Sequence, residues 1–260
     1  MALILENIET DLNGFILKNP IMTASGTYGY ADEYDEFIDV SNLGAIVTKA
    51  ISLEPREGNK HNRITETKAG MINSIGLENV GIEAFLRDKL PVLKNKNINF
   101  IMNIAGTTIE EYVKLAEICG QNSIKAVELN VSCPNVKAGC LEFGTEEKSL
   151  YELVSSVRKV YQGFLIVKLT PNVTSIEKLG ITAEKAGANA VSAINTLKGM
   201  SVKINCIKGK IYKEIVQGGY SGIGIKPVAI SAVNRLSKVI NIPIIGIGGI
   251  ETLDDVLEFL

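Results

Sequence analysis

The chain is short of the features that mark several functional classes. It has one histidine, His61, and four cysteines, Cys119, Cys133, Cys140 and Cys206, in 260 residues. Cys133 and Cys140 are seven apart, which is not a usual zinc spacing, so no metal site is expected. Four thiols in a chain this long, without a signal peptide, do not form a disulfide framework, and the expected compartment is the reducing cytoplasm. There is no run of like charge, and the net charge is -2. That argues against a nucleic-acid-binding or anionic-membrane face. No apolar run approaches the roughly 18 residues a spanning helix needs. The opening MALILENIET lacks the basic start of a signal peptide. Low-complexity tracts and repeats beyond one supersecondary unit are also missing.

What is present is a series of short β-branched runs, each followed by an amphipathic stretch. The strand candidates are NPIMTAS (19–25), GAIVTKA (44–50), NFIMNIA (99–105), AVELNVS (126–132), FLIVKLT (164–170), NAVSAIN (189–195) and IPIIGIGG (242–249). They are apolar in the middle and polar or glycine-rich at the end, as strands buried on both faces of a parallel sheet are. The helical patterns between them include TIEEYVKLAEICG, with Tyr112, Leu115, Ala116 and Cys119 on one face, and SLYELVSSVRKVY. Gly120 and Gly187 suit helix C-termini. Seven βα units predict a (β/α)8 barrel or an open doubly wound sheet. The barrel is favoured because polar residues sit at the C-terminal end of nearly every strand, the face where barrel active sites lie. One domain, 1–260, is expected. The connection between the second and third strands, about 48 residues, is too long for a plain crossover and must hold a loop excursion; a loop of that size over the C-terminal face is usually functional, and the bland alternative is a decorative hairpin of which RITET could be one strand. The chain stops inside the helix after the seventh strand, so an eighth βα unit is expected to be missing.

The strand ends carry the chemistry. They are Ser25 and Gly26, Lys49, Asn103, Asn130 followed by Cys133, Pro134 and Asn135, Lys168, and Asn195 with Thr196; the long insertion adds Asn73. Singly, each is also explained as a hydrogen-bonded packing residue. Together they are two lysines in apolar settings and several carboxamides facing one opening. Carboxamides donate and accept, which suits an imide or pyrimidine edge; lysines suit an anionic ring or carboxylate. Two glycine-rich segments, GGYSGIGIKP (218–227) and GIGGI (246–250), run into helices, where free N–H groups bind phosphate. In ELNVSCPNVKAGC, Cys133 stands between packing and chemistry on the residues alone.

The motifs NPIMTASGTYG, TKAISLEPREGN, MINSIGLEN, ELNVSCPN, VKLTPNV, INTLKGM, GGYSGIGIKPVA and IPIIGIGGI resemble, in order and spacing, those of the dihydroorotate dehydrogenases. The resemblance runs over essentially the whole chain. The cysteine of SCPN is similar to class 1, since the membrane-bound class 2 enzymes carry serine there. The continuation NVKAGCLEFGT is most similar to class 1B. The resemblance implies an FMN-containing catalytic subunit of pyrimidine biosynthesis, oxidising dihydroorotate to orotate. It implies a partner subunit with FAD and a 2Fe-2S cluster, NAD as the final acceptor, and a homodimer core within a heterotetramer.

By the same resemblance Cys133 is the base, and Gly139 is a flexible point in its loop, while Cys140 is a bystander. Lys49, Asn73, Ser74, Ile75, Gly76, Leu77, Asn130, Asn195 and Thr196 hold the substrate, joined by Asn135. Ser25, Lys49, Ala50, Asn103, Asn130, Lys168, Ile194, Gly222, Gly248 and Gly249 hold FMN, with Lys168 near flavin N1 and O2. Family members continue into an eighth strand that completes the phosphate site. The alternatives are a fumarate-dependent class 1A enzyme, a dihydropyrimidine dehydrogenase-type barrel, a tRNA dihydrouridine synthase and a non-catalytic barrel fragment. The second should carry cysteine-rich iron–sulfur segments, and the third a basic face.

Overall fold

The structure, a computed structural model, describes residues 8–30, 32–37, 39–60, 62–96, 98–132, 143–207 and 210–260. A two-stranded ribbon, β1 (Thr10–Asp11) and β2 (Ile16–Leu17), comes first. Next is β3 (Ile46–Val47), then a hairpin of β4 (Ile64–Thr67) and β5 (Gly70–Asn73). A helical stretch follows: α1 (Gly81–Ala84), a π turn and α2 (Leu90–Asn95). Strands and helices then alternate through β6 (Phe100–Ile104), α3 (Ile109–Gln121), β7 (Ala126–Asn130), α4 (Glu147–Val160), β8 (Phe164–Leu169), α5 (Ile176–Lys185) and β9 (Ala190–Ala193). A long ribbon, β10 (Leu197–Ile207) and β11 (Lys210–Ser221), precedes α6 (Lys226–Leu236), β12 (Ile244–Gly246) and α7 (Leu253–Phe259).

The main sheet is parallel, in the order β12-β9-β8-β7-β6-β3. A parallel bridge from Met22 to Ala45 adds the seventh pass. This is the barrel wall expected from the βα series. The 19–25 run contributes only that bridge, and among the described residues no pairing joins it to β12. The long second-to-third connection is the β4–β5 hairpin with its following helix, so RITET is indeed a hairpin strand. Gly120 does not end α3, which runs to Gln121. Gly187, at φ +99°, does follow α5 as expected.

Local signals explain the helix starts. The Thr108 hydroxyl accepts from the Glu111 N–H at 3.3 Å, with Glu110 and Glu111 in the first turn of α3. The Ser175 hydroxyl caps α5 in the same way. The α3 face of Tyr112, Leu115, Ala116 and Cys119 is buried, as its spacing predicts. Full burial of each large aliphatic side chain on it is worth about 2 kcal/mol. Burial pushes the Cys119 thiol up to about 12, so this cysteine is a packing residue.

Strand periodicity divides the core into two clusters. Val127, Leu129, Leu165, Val167 and Leu169 face the helices. Ala126, Phe164, Ile166, Ala190, Ile101 and Val47 face the barrel interior. The β1–β2 ribbon closes the N-terminal end, where Phe15 stacks on Phe164 with ring centroids 5.0 Å apart. Because side chains alternate, the next inward positions toward the C-terminal end are Asn103, Glu128, Asn130, Lys168 and Ser192. The barrel is thus apolar at the bottom and polar at the top.

Candidate active site

Asn103 lies on β6 and is fully buried. Its Nδ2 donates to Glu128 Oε1 on β7 at 2.6 Å, and its main-chain N–H donates to Thr48 Oγ1 at 3.1 Å. Its Oδ1 has no partner. Glu128 Oε2 accepts from the Ser192 hydroxyl on β9 at 2.6 Å. Sequence reasoning missed Glu128 and Ser192. The available signal was parity, since Glu128 is two residues before Asn130 on the same strand. One step higher, Asn195 Nδ2 donates to Asn130 Oδ1 at 3.3 Å, and the Thr196 N–H donates to Asn195 Oδ1 at 2.8 Å. Lys168 on β8 is buried, 5% exposed, and no carboxylate pairs with it among the described residues.

Lys49 departs from the expected setting. It stands two residues beyond the end of β3, and its side chain is 28% exposed rather than buried, with Glu78 Oε1 at 4.0 Å. Glu78 also pairs with Arg63. Lys49 therefore opens onto a cleft of about 540 Å³ lined by Tyr30, Arg56, Glu78, Asn79 and Lys89 among others. Ala50 is buried beside it, and Ser25 is half-buried after the Met22 bridge.

The second wall comes from the insertion. Asn73 ends β5 and donates from Nδ2 to the Gly219 carbonyl at 3.2 Å. Beyond it the chain turns through Gly76 and Leu77 at φ +76° and +55°. Asn59 holds that turn: its N–H donates to the Ile75 carbonyl at 2.9 Å, and its Nδ2 donates to the Ser74 hydroxyl at 3.1 Å. Asn73 is opposite Gly219 in the β5–β11 register. A Cβ on Gly219 would lie 2.1 Å from Thr196 Oγ1. Asn73, Gly219, Thr196, Asn195 and Asn130 thus form one continuous path, and Lys49 joins the loop through Glu78.

The long β10–β11 ribbon was not foreseen, and it corrects the reading of 218–227. Residues 218–221 are strand, not a phosphate loop, because they pair with β10 and β5. The rest of the expectation has a structural counterpart. Gly222, at φ +102°, starts the turn into α6, and Gly249, at φ +72°, lies against it. A Cβ on Gly249 would be 3.0 Å from the Gly222 carbonyl oxygen and 2.8 Å from Lys226 Cβ. Among the described residues no carbonyl accepts from the N–H groups of Gly222, Gly248 or Gly249. Cys133, Asn135, Gly139 and Cys140 lie outside the described residues.

Among the described residues the gathered side chains offer a buried acceptor, a cation without a carboxylate, amide pairs and peptide N–H groups that no carbonyl accepts from. Among the described residues no cluster of three or more histidine, cysteine or acidic side chains is placed to hold a metal. No helix of the described residues is long and apolar enough to cross a membrane. Residues 7–260 match the dihydroorotate dehydrogenase family. The chain belongs to that family. It is 47% identical over 253 residues to the dihydroorotate dehydrogenase B (NAD(+)) catalytic subunit of Caldicellulosiruptor saccharolyticus, covering 97% of this chain and 83% of that one. The catalytic subunit of the same name from Alkaliphilus oremlandii is 47% identical over 254 residues, covering 98% and 83%. That of Bacteroides thetaiotaomicron is 44% identical over 255 residues, covering 98% and 84%. The carboxamide and lysine positions that the strand ends suggested are therefore set in a dihydroorotate dehydrogenase scaffold.

The junction of the two walls gives a test. A Cβ on Gly218 would sit 1.9 Å from the Asn73 carbonyl oxygen. Gly218→Ala is expected to pry β11 from β5 and destabilise the protein by about 1–3 kcal/mol, read as a lower urea midpoint. Substrate KM should rise more than kcat falls, because the displaced wall carries the Asn73 loop.

Proposed function

We propose that this protein is the catalytic subunit of an NAD-linked dihydroorotate dehydrogenase, oxidising dihydroorotate to orotate on bound FMN. The observation that carries this reading is the convergence of Asn103, Asn130, Lys168 and Asn195 at the C-terminal end of a barrel wall in a chain of this family. The site fits a flavin mononucleotide on its own chemistry. Among the described residues, Asn103 Oδ1 is a buried acceptor without a donor, Lys168 is a buried cation without a carboxylate, and the Gly222 and Gly249 segments leave N–H groups free for a phosphate. Ser25, Lys49, Ala50, Asn103, Asn130, Lys168, Ile194, Gly222, Gly248 and Gly249 hold it. FMN, when bound, supplies the hydride acceptor for C6 of the substrate.

The chain's own residues do the rest. Cys133, as thiolate, takes the proton from C5, the hydride lost from C6 would go to the flavin, and the electron pair left between the two carbons completes the double bond. The thiol must be partly ionised, since its ordinary pKa is about 8.5. Asn73, Asn130 and Asn195, with Ser74 to Leu77, Thr196 and Asn135, orient the pyrimidine, and Lys49 faces its carboxylate. Lys168 would place its charge beside the flavin, which is how a protein tunes this cofactor.

The relatives are named as catalytic subunits of an NAD(+) enzyme, which supports electron delivery to NAD through a separate subunit. That subunit carries FAD and a 2Fe-2S cluster, and a homodimer of this chain forms the core of the assembly. A single domain, 1–260, in the cytoplasm completes the reading. Protein reconstituted with FMN, given dihydroorotate and an artificial electron acceptor, is expected to form orotate, followed by its absorbance. Reconstituted protein that binds FMN and forms no orotate overturns the assignment.

A further inference from the structure

Glu128 is 2% exposed, belongs to no ion pair among the described residues and has no part in the chemistry above. It lies at the same register as Asn103 across the β6–β7 pairing. Its two oxygens accept from two different strands, from Asn103 Nδ2 at 2.6 Å and from the Ser192 hydroxyl at 2.6 Å. Both bonds are short. A carboxylate accepts and does not donate, so only the NH2 end of the Asn103 amide can face it. The planar amide then places Oδ1 on the branch turned away from Glu128, where it is buried and unpartnered. A buried acceptor without a donor carries an unrecovered desolvation cost in the protein alone, which a ligand N–H would recover. Thr48 fixes the Asn103 backbone through its N–H at 3.1 Å, so the amide orientation is the one freedom left, and Glu128 removes it.

We infer that Glu128 is a positioning residue that locks the Asn103 carboxamide with its oxygen presented as an acceptor to the ring-imide N–H of a bound flavin. The inference rests on the FMN reading. Glu128→Gln keeps the shape but offers Asn103 either a donor or an acceptor, so both amide orientations become available. Free-flavin fluorescence quenching measures FMN binding, independently of turnover. Glu128→Gln is expected to weaken FMN binding about tenfold, and its effect should vanish in an Asn103→Ala background, because Glu128 acts through Asn103. The flavin midpoint potential should shift in Glu128→Gln when Asn103 is present and not in the Asn103→Ala background, whereas a merely structural role leaves the potential of the bound flavin where it was in both.

Tenfold weakening that persists in Asn103→Ala, or unchanged binding in Glu128→Gln, overturns the inference while leaving the flavin assignment intact. If the wild-type chain does not bind FMN, both fall. Should Glu128→Gln not fold, Ser192→Ala frees one carboxylate oxygen. It is expected to weaken binding about threefold with Asn103 present and not at all without it; unchanged binding overturns the inference.

Discussion

Replacing Cys133 by serine is expected to lower the rate of orotate formation by about 10²–10⁴-fold at pH 7, the usual contribution of a positioned general base. The lost rate should return as pH rises. The sequence context argues for this size. A thiol with an ordinary pKa of about 8.5 is already a few per cent ionised near neutrality, and a polar site raises that fraction. A serine hydroxyl titrates far higher and supplies almost no alkoxide at pH 7. The proton from C5 then has no acceptor of matched strength. Steady-state kcat against pH, with an artificial acceptor, is the measurement. Orotate affinity should stay within a factor of about two or three, because the carboxamides that orient the ring are untouched. Equal activity in the serine variant at pH 7 would remove Cys133 from the base role.

Lys168→Met is expected to act in opposite directions on the cofactor-free and the FMN-bound protein. Lys168 is 5% exposed, with no carboxylate against it among the described residues. Without an anion, such a burial is unfavourable, so an apolar side chain of similar length relieves it and the cofactor-free protein should melt higher. Each kcal/mol gained moves Tm by about 2–4 °C in a chain of this size. With FMN present the same change would, on the proposed reading, remove the cation that meets the charge developing on the flavin. The midpoint potential should fall, and reduction by dihydroorotate should slow by about 10²–10³-fold, the loss typical when one electrostatic donor to a transition state is deleted. Paired melting curves and stopped-flow reduction check both. A variant whose cofactor-free form melts lower would show that Lys168 is satisfied within the protein.

Much of the barrel was legible because its signals are local. Apolar runs such as 126–132 and 164–170 become β7 and β8 with both faces buried, and the α3 face from Tyr112 to Cys119 follows helical spacing. The ends of those strands named Asn103, Asn130, Lys168 and Asn195, because polar residues closing several apolar runs in series collect at one end of a barrel wall. Three things were read less well, each for a physical reason. Lys49 was placed in an apolar setting, but β3 stops at Val47 and leaves it at an open cleft, which no run length shows. The β10–β11 ribbon was overlooked although Met200, Val202 and Ile204 alternate along β10; these side chains stay exposed, so no core signal marks them. Glu128 was passed over because a charged residue inside an apolar run reads as an interruption. Its partners, Asn103 and Ser192, are 25 and 64 residues away and become visible only when the strands are side by side.

The bond from Asn73 to Gly219 spans 146 residues, and it sets an order of assembly. The wall from β6 to β9 pairs each strand with its neighbour in sequence, so it can grow as the chain emerges from the ribosome. The wall bearing Asn73 cannot: β5 must wait for β11, and closing a loop of that length delays its pairing. Until then β5 has only β4 beside it, and its other edge is open to wrong partners. The wall bearing Asn73 therefore closes only after β6 to β9 have been made, and its completion is gated by synthesis of the β10–β11 ribbon rather than by the strands beneath it.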